Sequence, residues 1–431
     1  MQRRFDDSII FIIGDPANHY QEEFIMNKRT LSLLIALLMT IVFALGGFAS
    51  AEALPETAEI VVPVITNMKQ FELPDNDALR FVRDMKAGWD LGNTFDAYDD
   101  QGWFTGPEPT METAWHKDKT SRELITTIKK AGFNTIRIPV SWHNHVDEND
   151  VIDPVWMERV KEVAGWAVEE GMYVIINVHH DNNPAFFYPD SEHFERSSAY
   201  LTAIWQQMAE AFAEFDDHVI LESMNEPRLV GTGYEWNFNA SSPECQDAAE
   251  CINKLNQLFV DIIRATGGNN ATRYLMIPGY CGSPAGVLTS YFRIPEDTAD
   301  NRIILEVHAY TPYDFALNQG GYTSFDLTES SKLSEIGLFM NNLYKTYVAQ
   351  GIPVVIDEYG AMEKNGNLQD RVNFTAYYVC SASARGMTCC LWDNNVFSGN
   401  GERFGIINRR TCEWVCPEIV EAIMLNCTFN R

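Results

Sequence analysis

Basic side chains are scarce in this sequence of 431 residues. Lys and Arg number 32 against 60 Asp and Glu, which gives a formal net charge of −28. Phosphate backbones are bound mainly through Lys and Arg, so the composition argues against a nucleic-acid partner. The acidity favours solubility and is compatible with an uncharged polymer as a binding partner.

The sequence also lacks an apolar run long enough to cross a bilayer. The apolar stretch from Leu31 to Leu45 has 15 residues before Gly46-Gly47, whereas a spanning helix needs about 20. Lys28-Arg29 precede the stretch and Ala49-Ser50-Ala51 follows it, an arrangement typical of a secretory signal peptide. A membrane anchor is the alternative, and the length argues against it. We therefore expect cleavage after Ala51 and a secreted, extracellular protein that is not bound to a membrane.

Residues 1–25 suit neither a leader nor a folded element, because acidic side chains recur through them, so we expect the true start at Met26. The predicted organisation is a leader over 1–51, a linker over 52–76 and one folded domain over 77–431. No repeat, Ser/Pro-rich tether or low-complexity tract is present, so no appended binding module is expected.

Nine cysteines follow the leader, and an odd number leaves at least one without a partner inside the chain. Two pairs, Cys245 with Cys251 and Cys412 with Cys416, are close enough in sequence to be disulfide candidates. Cys389-Cys390 lies in an apolar run, which favours buried thiols. No Cys-x-x-Cys pair suggests zinc, and we expect neither a metal nor a cofactor.

Short β-branched or apolar runs alternate with amphipathic stretches, of which Glu123–Lys130, Met157–Ala167 and Leu255–Arg264 have helical spacing. This alternation indicates parallel strands joined by crossover helices. Eight such runs predict an α/β fold of the (β/α)8 TIM-barrel class. A doubly wound sheet is the alternative, but it usually carries a glycine-rich phosphate turn after its first strand, absent here. The predicted strands are Ala87–Leu91, Thr135–Val140, Tyr173–His179, Val219–Met224, Tyr274–Pro278, Ile303–Ala309, Pro353–Glu358 and Thr388–Trp392.

Polar side chains occur at the ends of several of these predicted strands, where a purely apolar core would not place them. In a barrel all carboxyl ends of the strands meet on one face, where active sites are built. We therefore predict a single pocket formed by Arg137 and by five strand-end segments: His179-His180-Asp181, Asn225-Glu226-Pro227, His308-Ala309-Tyr310, Glu358-Tyr359-Gly360 and Trp392-Asp393-Asn394.

Several of these motifs resemble glycoside hydrolase family 5, and more narrowly its subfamily 4 of endo-β-1,4-glucanases and xyloglucanases. The resemblance runs from about Gly88 to Asn408. It is carried by Gly88-Trp89-Asp90-Leu91-Gly92-Asn93-Thr94, Glu112-Thr113-Ala114-Trp115, Asn225-Glu226-Pro227 and Glu358-Tyr359-Gly360. It implies a retaining, endo-acting β-glycanase that hydrolyses β-1,4-glucan, with Glu226 as the general acid/base and Glu358 as the nucleophile.

The resemblance and the chemistry together give the other predicted site residues their roles. Retaining cleavage needs an acid and a nucleophilic carboxylate about 5 to 5.5 Å apart. Arg137 would keep Glu358 ionised and Tyr310 would donate to the same carboxylate, whereas Glu226 needs a setting that favours its protonated form. Asn225 would bind the sugar 2-hydroxyl and Trp392 would stack on the sugar. The remaining expected substrate contacts are Asn93, His179, His180 and His308.

Three further expectations concern residues near these motifs. Consecutive strand residues point to opposite faces, so His179-His180 should not form a metal site. Trp142, His143 and His145 either line the cleft or belong to the core. Asp357 stands where glycine is common and, if it points inward, would raise the pKa of Glu358. Leu391 replaces the first of two tryptophans found in many relatives, which changes packing while Trp392 is kept.

Two alternative functions stay open at this point. A non-catalytic carbohydrate-binding barrel would be favoured had either glutamate been replaced, and both are present. A mannanase or xylanase of the same family shares the chemistry at the cleaved bond and differs in loops that the sequence does not place.

Overall fold

The structure, a computed structural model, describes residues 8–13, 22–27 and 59–429. It divides into two units, Met1–Glu59 and Ile60–Arg431. In the first, Ser8–Ile13 pairs antiparallel with Glu22–Asn27, so a hairpin lies where no folded element was expected. The predicted apolar core and cleavage site of the signal peptide lie outside the described residues. Among the helices that are described, none has the length and apolarity needed to cross a membrane.

In the second unit, eight parallel strands close into a barrel in which each strand pairs with its sequence neighbours and β8 returns to β1. The predicted (β/α)8 class is confirmed. Several strands end earlier than predicted, as β3 does at Ile176 rather than His179, because the residues beyond leave the sheet to form the pocket. The strands are β1 (Gly88–Leu91), β2 (Thr135–Ile138), β3 (Tyr173–Ile176), β4 (Val219–Glu222), β5 (Leu275–Ile277), β6 (Ile303–His308), β7 (Val354–Tyr359) and β8 (Thr388–Asp393).

Helices lie between the strands, and local sequence explains where several begin. Ser121 and Ser242 each accept a hydrogen bond from a backbone N–H of the first turn, and proline occupies the first turn at Pro154 and Pro243. The helices are α1 (Asp77–Asp84), α2 (Arg122–Lys130), α3 (Pro154–Glu169), α4 (Phe194–Ala211), α5 (Pro243–Ala265), α6 (Pro284–Leu288), α7 (Tyr313–Ala316), α8 (Ser330–Thr346), α9 (Leu368–Ala384) and α10 (Pro417–Asn426).

Helix α1 covers the amino-terminal end of the barrel. Its Val82 and the following Met85 pack against apolar side chains of five barrel strands, Ile175, Ile220, Met276, Ile304 and Val355. The hydroxyls of Thr135 and Thr388 donate to the Met85 and Val82 carbonyls. One mouth of the barrel is therefore filled, and only the carboxyl-terminal mouth is left for a site.

The segment 60–76, predicted as part of a linker, has no helix or strand but packs on the barrel. Ile60, Val62, Ile65 and Leu73 lie against the main core. Val61 exchanges two hydrogen bonds of 2.8 Å with the Gln369 side chain on α9. This stretch therefore belongs to the same unit as the barrel.

All nine cysteines are free thiols, so neither predicted disulfide forms. Cys245 and Cys251 are six residues apart on α5, and at 3.6 residues per turn their side chains point away from each other. The expectation of buried thiols at Cys389 and Cys390 is confirmed.

Candidate active site

Glu226 and Glu358 meet at the open mouth of the barrel. Glu226 lies four residues beyond the end of β4, and Glu358 is the next-to-last residue of β7. One carboxylate oxygen of each glutamate and a ring nitrogen of His308 all lie within 4.8 Å of one another. Residues 132 positions apart in sequence (358 − 226) therefore form a carboxyl pair with a histidine beside it.

Glu358 is held by the two residues predicted to contact it. Arg137 Nη1 donates to its Oε1 at 2.7 Å, and the Tyr310 hydroxyl donates to its Oε2 at 3.1 Å. Burial, the Glu358 charge and other nearby carboxylates raise the pKa of Tyr310 well above its usual value, so the phenol keeps the proton that it donates. Both contacts favour an ionised Glu358.

Glu226 has a different set of partners. His308 Nδ1 lies 2.9 Å from its Oε1, and Arg228 Nη1 lies 3.5 Å from its Oε2. Its side chain is 16% exposed against 7% for Glu358, so it is the more accessible of the two.

The pKa shifts of the two glutamates run opposite to the expectation. Burial alone would raise the pKa of Glu226, but the hydrogen bond and charge of His308, with Arg228, lower it. Burial and the neighbouring Glu226 raise the pKa of Glu358, although His308 and Arg137 oppose the rise. The sequence could not show this, because it depends on which glutamate the histidine faces.

Arg137 is the centre of a buried hydrogen-bond network inside the barrel. Its Nε and Nη2 donate to both carboxylate oxygens of Glu222 at 2.8 and 2.7 Å, and Nη2 also donates to Asn225 Oδ1 at 2.8 Å. Sequence reasoning missed Glu222. A glutamate inside the predicted apolar strand Val219–Met224 was the available signal, because a charge buried there needs a cationic partner.

Three more carboxyl groups lie inside the barrel below Glu358: Asp90, Glu306 and Asp357, all with no exposed surface. Among the described residues, the carboxyl oxygens of Asp90 and Glu306 have no hydrogen-bond partner. Burial raises the pKa of both well above the usual range, with nearby carboxylates adding to the rise. Burial therefore favours the neutral form of both groups.

Asp357 points into the barrel as expected, but its carboxylate faces Arg137 and His308 rather than Glu358. Its Oδ2 lies 3.3 Å from Arg137 Nε and 3.8 Å from His308 Nε2. Although burial opposes it, the charges of Arg137 and His308 lower the pKa of Asp357. The rise in the Glu358 pKa comes from burial and from Glu226 instead.

Trp392 and His179 form a flat surface in the pocket. Their rings are parallel to within 2°, with centroids 6.0 Å apart. A side chain at Gly92 would place its Cβ 2.7 Å from the Trp392 ring, so only glycine allows this approach. The indole is 7% exposed and packs beside Met362 and Phe404.

The orientation predicted for His179 and His180 is wrong. β3 ends at Ile176, so strand alternation does not apply, and the two rings contact edge to face at 4.4 Å. Ligand atoms of both histidines and of Asp96 lie within 4.8 Å of one another. Asp96 already accepts from the Asn93 and Thr94 backbone N–H groups, so hydrogen bonds account for its burial without an ion. Burial and Arg228 lower the pKa of His180 to about 4, which leaves a neutral ring as a hydrogen-bonding wall.

Four further candidate residues, Asn93, Trp142, His143 and His145, have no hydrogen bond to either glutamate among the described residues. Asn93 follows β1 with φ 58°, and the hydrogen bonds of the described residues do not join its side chain to either glutamate. Trp142 is fully buried and donates to the Asn177 carbonyl. His145 is stacked on Trp156 at 3.6 Å. His143 is 5% exposed, and its ring lies 5.4 Å from that of Tyr98.

Exposed aromatic side chains near the pocket were not among the predicted site residues. Trp115 is 37% exposed and its ring lies 5.7 Å from that of His180. Trp236 is 57% exposed with the Arg228 guanidinium 4.1 Å from its ring centre, and Arg228 in turn contacts Glu226. Tryptophans in loop segments carry no periodic signal, so only the fold places them beside the site.

Comparison with known proteins gives a family match. Residues 99–398 match the family Cellulase (glycosyl hydrolase family 5). Endoglucanase A of Ruminococcus albus is 39% identical over 359 residues, which cover 82% of this chain and 94% of that protein.

Two solved structures share the fold. A family 5 lichenase from Caldicellulosiruptor sp. F32, solved as a mutant with cellotetraose, is 51% identical with a TM-score of 0.84, covering 86% of this chain and all of that one. A GH5-4 broad specificity endoglucanase from Ruminococcus champanellensis with bound cellotriose is 40% identical with a TM-score of 0.75, covering 82% and 100%. The predicted resemblance is confirmed: this chain is a glycoside hydrolase and belongs to glycosyl hydrolase family 5.

Proposed function

We propose that the protein is a secreted endo-acting retaining β-glycanase that hydrolyses β-1,4-glucan by double displacement, with Glu226 as acid/base and Glu358 as nucleophile. Cellulose and mixed-linkage glucan are its main substrates, and xyloglucan is a further one. The observation that carries the proposal is the pair of carboxyl groups of Glu226, after β4, and Glu358, near the end of β7, with oxygens within 4.8 Å of each other.

The spacing of the carboxyl groups supports a covalent intermediate. Retaining glycosidases hold the two groups about 5 to 5.5 Å apart, whereas inverting enzymes leave about 6.5 to 9.5 Å for a water molecule. The short separation here leaves Glu358 to attack the anomeric carbon itself. Donation from Arg137 and Tyr310 to Glu358 favours the ionised form of the attacking carboxylate, against the effect of burial, and fixes the direction of its oxygens.

The surroundings of Glu226 suit an acid/base. It is the more exposed of the two carboxyl groups. An acid/base needs this access, because it protonates the departing sugar and then deprotonates an incoming water. His308 Nδ1 lies 2.9 Å from Glu226 Oε1, within hydrogen-bond distance. Asn225, fixed by Arg137 at 2.8 Å, is placed to bind the 2-hydroxyl, a contact that strengthens in the transition state.

Endo-cleavage requires a cleft that binds several successive sugars, and the protein offers aromatic surfaces for more than one. Trp392 offers a face close to the glutamates, and the exposed rings of Trp115 and Trp236 lie further out, beside His180 and Arg228. Flat apolar rings suit the C–H faces of successive pyranoses. The names of the two similar glucanases above, which were solved with cello-oligosaccharides, support a β-1,4-glucan substrate.

A panel of polysaccharides tests the proposal: carboxymethyl cellulose, lichenan, xyloglucan, xylan and mannan. We expect hydrolysis of the first three, with a rapid fall in viscosity relative to the reducing ends formed. Activity on xylan or mannan alone would favour the xylanase or mannanase alternative, and no hydrolysis at all would favour a binding barrel. Release of terminal sugars without a viscosity drop would contradict endo-cleavage.

A matched variant tests the extended cleft. Trp236→Ala removes an exposed ring that contacts Arg228 but neither glutamate, so folding should be unaffected. We expect KM for lichenan to rise about 5- to 10-fold, since an exposed aromatic contact contributes about 1 kcal/mol. The rate on an aryl β-cellobioside, which lacks further sugars on the leaving side, should stay within twofold. Equal losses on both substrates would show that Trp236 acts on the glutamates rather than on the polymer.

Secretion is proposed from the leader alone. Processing after Ala51 would leave Glu52 as the first residue of the mature protein. N-terminal sequencing of protein from the culture medium checks this, and a mature protein that retains residues 26–51 would contradict it.

A further inference from the structure

His143 contacts neither glutamate but lies between two other carboxyl groups. Its Nδ1 is 2.5 Å from Asp181 Oδ1, and its Nε2 is 3.1 Å from Asp100 Oδ1. The His143 side chain is 2% exposed, so these two groups rather than water meet its ring nitrogens. The ring therefore connects two loops at the mouth of the barrel, since Asp181 follows β3 and Asp100 follows β1.

Both of these contacts require an N–H on the ring. The two oxygens of Asp181 already accept from the backbone N–H of Trp142, and Oδ1 also accepts from that of His143, so Asp181 is an acceptor toward Nδ1. The Asp100 side chain is 45% exposed, where water stabilises a carboxylate, and an ionised carboxylate can only accept. Hydrogens on both nitrogens make His143 an imidazolium, which is a charged bridge between the two aspartates.

The charges around the ring agree with this state. Burial alone would lower the pKa of His143, but its hydrogen bonds to Asp181 and Asp100 and the charges of both groups raise it above the usual value. The hydrogen bonds and ion pairs of the described residues place no Lys or Arg on the ring, and the two nearest arginines are paired with other carboxylates. The titratable and charged groups that contact the ring or its neighbours are Tyr98, Asp99 and Asp100 after β1, His145 after β2, His180 and Asp181 after β3, Arg196 and Tyr200 on α4, and Arg228 after β4.

A second contact to the same loop lies next to this bridge. The Asp99 backbone N–H donates to Asn144 Oδ1 at 2.6 Å, so His143 and Asn144 hold two consecutive residues of the loop. The Asp99 carboxylate in turn accepts from three backbone N–H groups of the turn that follows it. The position of this part of the loop is therefore set from the buried Asp181 outward.

The loop held in this way carries an aromatic wall of the cleft, formed by Tyr98, Trp115 and His180. The Tyr98 ring lies 5.3 Å from each of the other two rings, and its backbone carbonyl accepts from Trp115 Nε1 at 3.2 Å. His180 also contacts the ring of His179, which is stacked on Trp392. The wall therefore continues from the flat surface at Trp392 outward to the half-exposed Trp115.

We propose that His143 is a positioning residue: as a charged bridge between Asp181 and Asp100, it fixes the aromatic wall and thereby sets the affinity of the cleft for an extended glucan chain. This inference rests on the proposed function, because it requires a cleft that binds successive sugars. His143 is itself buried, so it acts on the polymer only through the loop. A wall that is already fixed loses little conformational freedom when a chain binds, so a weaker bridge should weaken binding rather than the chemical step.

The first test is the protonation state of His143. In ¹⁵N-histidine-labelled protein, the two ring nitrogens of an imidazolium resonate close together, whereas those of a neutral ring are widely separated. We expect the imidazolium pattern at neutral pH for the signals that are lost in His143→Gln. In Asp100→Asn the same signals should change to the neutral pattern at a lower pH, since one facing charge is gone. A neutral ring in the unmodified protein would overturn the proposal, and the measurement needs no substrate, so it stands even if the glucan assays fail.

The second test is the effect of Asp100→Asn on the polymer. The substitution keeps the shape and one acceptor oxygen and removes the charge, on a side chain exposed enough for folding to be unaffected. KM for lichenan should rise about two- to fivefold, as expected for loss of a partly exposed ion pair. The value of kcat should stay within about twofold, because the glutamates are unchanged. An unchanged KM, or a fall in kcat as large as the rise in KM, would contradict the proposal.

A double variant shows whether Asp100 and His143 act together. Glutamine at position 143 carries no charge, so His143→Gln should raise KM by itself, and adding Asp100→Asn should then change KM little further. Two effects that multiply would show that the residues act independently, which would overturn the bridge. If His143→Gln does not fold, the His143 signals are identified by their shift in Asp100→Asn, and the spectrum and the KM of that variant decide.

Asp216→Asn is the matched control. Asp216 Oδ1 lies 2.8 Å from His218 Nδ1, and its side chain is 68% exposed. This pair lies just before β4, at the opposite end of the barrel from the glutamates. Removing its charge should leave both KM and kcat unchanged. A rise in KM equal to that of Asp100→Asn would mean that net charge rather than the bridge controls glucan binding, and this too would overturn the proposal.

Discussion

Glu358→Gln is expected to lose activity on every substrate, polymer or aryl glycoside, by on the order of 10⁶-fold in kcat. An amide cannot form the glycosyl ester that double displacement requires, and no quality of leaving group replaces the missing bond. The amide keeps an oxygen for Arg137 and Tyr310, which hold the side chain at 2.7 and 3.1 Å. The loss should therefore be chemical rather than structural.

The measurement is kcat on carboxymethyl cellulose and on an aryl β-cellobioside, with thermal unfolding as a check of the fold. Glu306→Gln, an equally conservative change of a buried carboxyl on β6, should remain active. In the unmodified enzyme, an activated 2-deoxy-2-fluoro-β-cellobioside should label one peptide, the one that contains Glu358. Label on another carboxyl group, or more than about 1% residual activity in a folded Glu358→Gln, would refute the assignment.

Glu226→Gln is expected to separate the two chemical steps. On polymer the rate should fall by about 10² to 10⁴-fold, because the departing sugar is no longer protonated. The acidic phenol of an activated aryl β-cellobioside can depart without being protonated. This variant should therefore still release one equivalent of phenol in a burst. It should then stall, since the water that must cleave the intermediate has lost its general base.

Azide gives this prediction a stereochemical readout. The anion attacks without being deprotonated, so it should restore turnover of the aryl glycoside in Glu226→Gln and yield a β-glycosyl azide, because two inversions retain configuration. The unmodified enzyme, whose base is intact, should gain nothing from azide. An α-glycosyl azide from Glu226→Gln, or rescue in Glu358→Gln instead, would show that the two roles are exchanged or that the mechanism is not retaining.

Much of the architecture could be read from local pattern. The barrel strands are short and rich in apolar residues, as in Val219-Ile220-Leu221, because parallel strands are buried on both faces. Strand ends were placed less well. His179 looked like the last residue of a strand, but the chain leaves the sheet at Ile176, because pairing with a neighbour rather than composition determines where a ladder stops.

The candidate site was predicted because its polar residues interrupt apolar runs. Arg137 between two isoleucines and Glu358 at the end of a valine- and isoleucine-rich strand stand out in sequence. Residues that act through these were found only in the structure. Glu222 is a strand-end carboxyl like many others, and nothing in its neighbours along the chain indicates that Arg137 donates to both its oxygens.

The sequence by itself predicted the barrel, which the structure confirms, and it singled out Glu226 and Glu358, because strand and helix patterns and the motifs around each glutamate are local features. Only the tertiary structure decided how those glutamates are charged. His308 lies nearer to Glu226 than to Glu358, at 2.9 against 3.5 Å from Nδ1, and Asp357 faces its other nitrogen rather than the nucleophile. Electrostatic interaction depends on distance and on the water excluded around each pair, and neither quantity is defined until strands distant in sequence close around a common interior.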